Sequence, residues 1–314
     1  MLGLYYRHIK GFSKTEDKLL NTKCARGTHM KWNIVTDSSC DLHRLQTEGF
    51  KETIRYESVP FVISVGNEEF IDDDKIDLPR MLDGMEKAKA VTSTACPSPH
   101  AWMEAFAREG NVIAVTISER LSGSFNSACT ALELMRHEHP DKNIEVINSV
   151  SAGTGLNLLV ANICDSIEKG LSFAETVEEA RRIADRKRTI FALCSFHNLI
   201  KNGRMSPIVG FAAQKLKFWG IGIGTQEGEI EVKGKARGGK KMIQAIVDDI
   251  KEFIQKHGNP IHSVYISHCQ NLEMAQRLRD EIQAQWKDIK IEIHETKGLC
   301  SYYAERHGLI VSYL

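Results

Sequence analysis

No two of the eight cysteines, at positions 24, 40, 96, 129, 164, 194, 269 and 300, stand at the C-x-x-C spacing of a zinc ribbon or thiol oxidoreductase. They are scattered, mostly in apolar segments, which suits reduced, buried thiols in a cytoplasmic protein better than a disulfide framework. No apolar run reaches the roughly eighteen residues of a membrane span. An N-terminal apolar run leading to a small-residue cleavage site is also missing, so the expected location is the cytosol. Charge of one sign is lacking too. The 41 Lys and Arg face 41 Asp and Glu, so no global field selects nucleic acid or an anionic membrane. Neither the G-x-S-x-G elbow, the G-x-G-x-x-G fingerprint nor the G-x-x-x-x-G-K-[ST] loop occurs. A serine hydrolase pairing Ser122 with His268, or a nucleotide-binding α/β enzyme using the glycines of 151–155 or 220–224, therefore stands only as the alternative reading.

What is present is a regular alternation. Apolar runs of strand length, bounded by turn signals, alternate with longer helix-period stretches, the pattern of β-α units on a mainly parallel sheet. The clearest strands are 32–36, 111–118, 144–147, 190–194, 263–267 and 289–294. Phe125, Ala128, Leu132 and Met135 give one helix an apolar stripe, and 271–286 repeats the pattern. At 314 residues, 42% of them hydrophobic, the chain exceeds the size of one core, so two domains are expected. A charged helix at 178–189 separates them: an N-terminal α/β domain at 31–182 and a C-terminal α/β domain at 183–314. Residues 1–30 lack clean periodicity and read as a leader, tag or upstream extension, with Met30 as the functional start.

The strand ends share a chemistry. The loops "TDSSCD", "SERLSGS", "NSVSAGTG", "CSFHN" and "SHCQN" nearly all carry Ser or Thr. Ligands of doubly wound sheets bind outside the carboxyl ends of the strands, where helix N-terminal amides favour an anion. The same residue types are also preferred N-caps, and Asp37, Ser38 and Ser39 are expected to be no more than that. Ser122, Gly123 and Ser124 exceed what one cap needs, and Gly123 lets a ligand approach the backbone. A second such stretch is "VTSTACPSP", 91–99, where Ser98 and Pro99 open a helix but Thr92, Ser93 and Thr94 have no capping role.

Taken together, "IVTDSSCDL" at 34–42, "TSTACPSP" at 92–99, "ISERLSGSFNSA" at 117–128, "LIKNGRMS" at 199–206 and "SHCQNLEMA" at 267–275 resemble the DegV family of bacterial fatty-acid-binding proteins, the lipid-carrying subunits of fatty acid kinase. The resemblance implies two α/β domains with a ligand tunnel between them and a bound long-chain fatty acid such as palmitate as ligand, with no cofactor. It implies a carrier without chemistry of its own, whose partners are the fatty acid and a separate kinase subunit that makes the acyl phosphate, with peripheral membrane contact for lipid exchange. Carried over by motif, the carboxylate would be held by Ser122 and Thr94, with Gly123 beside them and Ser93 as the rival to Thr94. Arg204 and His268 match positions connected with phosphoryl transfer or kinase contact. Neither residue adjoining Ser122 is a cation, the nearest being Arg120 two positions away, which suits a buried carboxylate better than a phosphate, and Arg204 would suit the acyl phosphate.

The chain departs from the family at "LKFWGIGIGT", at "HETKGLCSYYAERHGLIVSY" and at Asn148, where Asp is usual. Trp219 and Phe218 either shorten the tunnel or fill core. "HEH" at 137–139 reads as solvated surface rather than a metal site. The five cations of 233–241 read as a hairpin leading into a helix, with kinase docking second and no nucleic acid.

Overall fold

Buried residues run through β1 (Trp32–Asp37) and β6 (Asn111–Thr116) without a break, as in strands covered on both faces. The computed structural model describes residues 31–45, 53–87, 91–206 and 218–314. It places these strands at the centre of a wholly parallel sheet ordered β2 (Ile54–Val59), β1, β6, β7 (Ile144–Asn148). Alternate side chains go to opposite faces. Val35, Val112, Ala114 and Val146 meet α2 (Pro99–Phe106) and α3 (Ser124–Glu138), which supply Trp102, Phe106, Leu132 and Met135. Ile34, Ile113, Val115 and Ile147 meet α4 (Thr154–Glu168) and α5 (Phe173–Arg186). The leader at 1–30 lies outside the described residues.

Helix α4 is apolar nearly all round, with Leu156, Leu158, Leu159 and Val160 fully buried. It is packed between this sheet and strands β11 (Ser263–His268) and β13 (Leu309–Tyr313) of a second one, which accounts for its composition. The second sheet is ordered β10 (Ile230–Arg237), β9 (Phe218–Gly224), β8 (Arg188–Leu193), β13, β11, β12 (Lys290–Glu295). Its outer face is covered by α7 (Gly239–His257) and α8 (Leu272–Gln285), and Trp219 is part of that core, not of a tunnel floor.

The expectation of parallel sheets describes the first sheet, whereas the second is mixed. Only β11 and β12 run parallel; its other neighbours are antiparallel. Two connections account for three of the four antiparallel pairs, β8 with β9 being the fourth. A short turn closed by Gly228, with φ of 83°, folds β10 back on β9, and such a hairpin can only be antiparallel. The last strand, β13, then enters between β8 and β11 in the opposite direction. A small antiparallel sheet, β4 (Glu68–Ile71), β3 (Val62–Val65), β5 (Thr92–Ala95), sits over the second sheet with α1 (Leu78–Lys87) and α9 (Gly298–Ala304).

Candidate functional site

The loops leaving β1 and β6 meet over one buried carboxylate. Asp37 accepts from the hydroxyl and amide of Ser39 (2.5 and 3.2 Å), the amide of Ile117 (2.9 Å) and the hydroxyl of Ser124 (2.7 Å). Burial raises its pKa against the pull of those hydrogen bonds. Asp37 is therefore no helix cap, as its residue type suggested, but the tie between two loops and the start of α3. Ser38 is used likewise, accepting from the amide of Phe61 at 3.0 Å.

Most of the surplus hydroxyls after β6 are consumed by the fold. Ser118 donates to the Gly228 carbonyl at 2.7 Å, and Ser124 is held by Asp37. Ser122 is left. Its Oγ accepts the Ser124 amide at 3.3 Å, and among the described residues nothing accepts from its O–H. It stands just before α3, whose N-cap residue Gly123 supplies no side chain, so the amides that follow Ser124 add partial positive charge beside it. Gly123 is exposed at this lip, with an ordinary φ of −72°; a Cβ there would lie 3.6 Å from Cys96 Sγ.

Strand phase separates the hydroxyls of β5. Thr92 and Thr94 point to one face, and Ser93 to the other, exposed one. Thr92 pairs with the Tyr302 hydroxyl at 2.8 Å and Thr94 with that of Tyr303 at 3.1 Å. Tyr303 is a site residue that sequence reading missed, although it lies within the segment marked as departing from the family pattern. Its helix, α9, is held at the N-terminus by two buried acids. The Lys297 amide donates to Asp41 at 2.9 Å, and those of Gly298 and Leu299 to Asp72 at 2.6 and 2.8 Å. Burial raises both carboxyls, that of Asp41 to about 6.

Arg204 follows α6 (His197–Lys201) through Gly203, whose φ is 71°. Its Nε donates to the Leu121 carbonyl at 3.1 Å and another N–H bonds the Asn202 carbonyl; burial raises the pKa of Tyr303, and the Thr94 hydrogen bond and the Arg204 charge oppose that rise. The guanidinium thus lies beside both Ser122 and Tyr303. His268 is not brought there. At the end of β11 its Nδ1 accepts the Asn271 amide at 3.2 Å, and it is not part of the cavity wall. No hydrogen bond joins it to Ser122, so the described residues do not assemble the pair a serine hydrolase needs.

From Thr94, Ser122, Arg204 and Tyr303 a cavity runs in between the sheets, walled by Phe61, Ile117, Phe191, Leu193, Leu299 and Ile310. It holds about 850 Å³ free of protein atoms, part of it open to solvent. This is a largely apolar channel whose Thr94, Ser122, Arg204 and Tyr303 end presents hydrogen-bond donors. Among the described residues no group of His, Cys, Asp and Glu could hold a metal, and no helix is long and apolar enough to cross a membrane.

A family model described as "Uncharacterised protein, DegV family" matches residues 31–313. The chain belongs to the DegV family. A DegV domain-containing protein of Streptococcus pyogenes serotype M18 is 40% identical over 284 residues, covering 90% of this chain and 99% of that one. Among solved DegV-like structures, the Streptococcus pneumoniae Fatty Acid Kinase (Fak) B3 protein loaded with linoleic acid is 36% identical, with a TM-score of 0.84 over 90% of this chain and 99% of that one. A DegV family protein from Eubacterium eligens loaded with heptadecanoic acid is 35% identical, with a TM-score of 0.83 over 90% of this chain and 98% of that one.

Proposed function

We propose that this chain binds one long-chain fatty acid in the channel and presents its carboxylate to a separate kinase subunit for conversion to the acyl phosphate, without catalysing a reaction itself. The carrying observation is the division of the cavity: largely apolar walls ending at Thr94, Ser122 and Tyr303 with Arg204, the one cation lining it among the described residues, beside them. Each buried methylene contributes ~0.8 kcal/mol, and a hydrogen bond to a charged group ~1.5–3 kcal/mol, so the walls carry affinity and the hydroxyls fix orientation. Ser122 is the principal donor, since its O–H has no acceptor among the described residues, and Thr94 rather than Ser93 is its partner because only Thr94 faces the channel. Arg204 receives the extra charge of the phosphorylated product. His268 stays in this reading as a kinase-contact residue outside the channel. The fatty-acid-loaded relatives at 36% and 35% identity support the ligand class.

In the same reading the protein works in the cytosol and touches a membrane only peripherally, to exchange lipid. We place the boundary between the halves near 182–183, at the C-terminal end of α5 and before β8. Mass spectrometry of solvent extracts from gently purified protein tests the central claim. A near-stoichiometric long-chain fatty acid is expected; its absence, with no uptake of added palmitate, overturns it.

A further inference from the structure

The face of β8 that walls the channel does not stay apolar. Thr189, Phe191 and Leu193 alternate onto one face, and all three line the cavity. Leu193 packs in the cluster that contains Ala304 and Tyr303, so it marks the head-group end. Thr189 lies four residues back, about 13 Å along the strand. Strand β13 repeats the change: Ile310 stands opposite Phe191, and Ser312 opposite Thr189. The wall therefore passes from aliphatic and aromatic side chains to hydroxyls at the end remote from Thr94.

These hydroxyls form a directed relay. Thr154 bonds Ser312 at 2.8 Å, Ser312 bonds Thr189 at 2.7 Å, and Thr189 bonds Ser151 at 2.8 Å. Four O–H groups thus make three bonds among themselves and leave one proton over. Thr154 is fully buried and has no other partner among the described residues, so it must donate inward, and donation runs outward to Ser151. For its own proton Ser151 has, among the described residues, only the Ala152 carbonyl at 3.5 Å, the limit of a hydrogen bond, and it lines the channel. Val150, held at φ 53° with its amide on Asn148 Oδ1 at 2.9 Å, fixes the turn that presents Ser151.

The surroundings select a neutral group. The nearby Lys187 amine donates to the carbonyls of Ser149 and Ala184, and burial lowers its pKa to about 7, so it is only partly charged near neutral pH; Glu229 stands exposed at the rim. A second carboxylate would meet Glu229 with only that partly charged amine to offset it among the described residues, whereas a hydroxyl accepts from Ser151 at no electrostatic cost.

We propose that Ser151 and Thr189 form a subsite for a neutral hydroxyl carried on the acyl chain far from its carboxylate, so that hydroxylated fatty acids are ligands of this protein. The proposal rests on the fatty-acid reading above. Binding of stearic acid and of hydroxystearic acids, with the hydroxyl moved stepwise from mid-chain to the end, tests it by isothermal titration of delipidated protein. One positional isomer is expected to bind as tightly as stearic acid or tighter. The isosteric pair Ser151→Ala with Thr189→Val should bind that isomer about ten-fold weaker and stearic acid more tightly. Ser151→Ala alone, which leaves the sheet intact, should invert the preference in the same direction. The inference is overturned if wild type binds stearic acid but every hydroxy isomer at least about ten-fold weaker, or if the variants weaken both kinds of acid equally. Binding of neither kind by wild type overturns the fatty-acid reading itself and this inference with it.

Discussion

Ser122 and Ser124 are two residues apart and have opposite fates. Ser124 is locked to the buried Asp37, while Ser122 keeps its proton for a ligand. Ser122→Ala should weaken fatty-acid binding about ten-fold or more, the worth of a charge-assisted hydrogen bond, and Thr94→Val should do the same. Ser93→Ala, on the exposed face of β5, should leave affinity within about two-fold. Fluorescent fatty-acid displacement measures all three, and a Ser93 effect equal to that of Thr94 would reverse the assignment. Arg204 makes a separate prediction: Arg204→Ala should retain most binding yet lose acyl-phosphate formation in the presence of the kinase. Equal loss of both would show that the guanidinium serves the carboxylate rather than its product.

At the scale of elements, the channel depends on how closely β8 and β9 approach. A Cβ at Gly222 would come within 2.3 Å of the Phe191 ring, which packs edge-on against Phe196 at 6.2 Å. Phe191 also walls the channel, so the ring has no free side to move to except into the cavity. Gly222→Ala should cost about 1–3 kcal/mol in chemical denaturation and narrow the acyl path. The readout specific to the channel is chain length: affinity for long acids should fall more than for short ones, and a uniform loss would assign the effect to stability alone. In the sequence the glycines of 220–224 stood out only as those a nucleotide-binding enzyme would use; their use is close packing within a strand, visible only once Phe191 is placed.

For the whole molecule, the seam between the two sheets holds acids that burial has raised. Asp41 joins the β1 loop to α9, and its folded pKa of about 6 lies above the unfolded value of 3.8. Its contribution to stability is therefore fully present below about pH 4 and is lost as pH rises through about 6, a change of about 3 kcal/mol. Asp41→Asn cannot ionise, retains an oxygen for the Lys297 amide, and places its own amide beside the Ser267 hydroxyl, which faces the carboxylate in the wild type. Urea unfolding at about pH 4 and about pH 7 should show the variant gaining on wild type as pH rises. A constant difference between them would remove Asp41 from the pH response of the seam.

Local pattern was enough for the first half of the fold. The strands expected at 32–36, 111–118 and 144–147 form with ends within two residues, as do 190–194, 263–267 and 289–294, because periodicity and turn residues act over a few positions. The same holds for the hydroxyl-rich loops, and so for Ser122 and Thr94 as candidates. Tertiary structure alone decided what crosses the chain. Tyr303 reaches Thr94 from 209 residues away, β13 turns the second sheet antiparallel by entering it last, and Asp37 becomes a tie rather than a cap. His268 shares the residue chemistry of a site yet sits outside it, since loop composition does not encode which loop ends converge. Composition could mark the hydroxyls; strand phase and long-range register chose which of them face the channel.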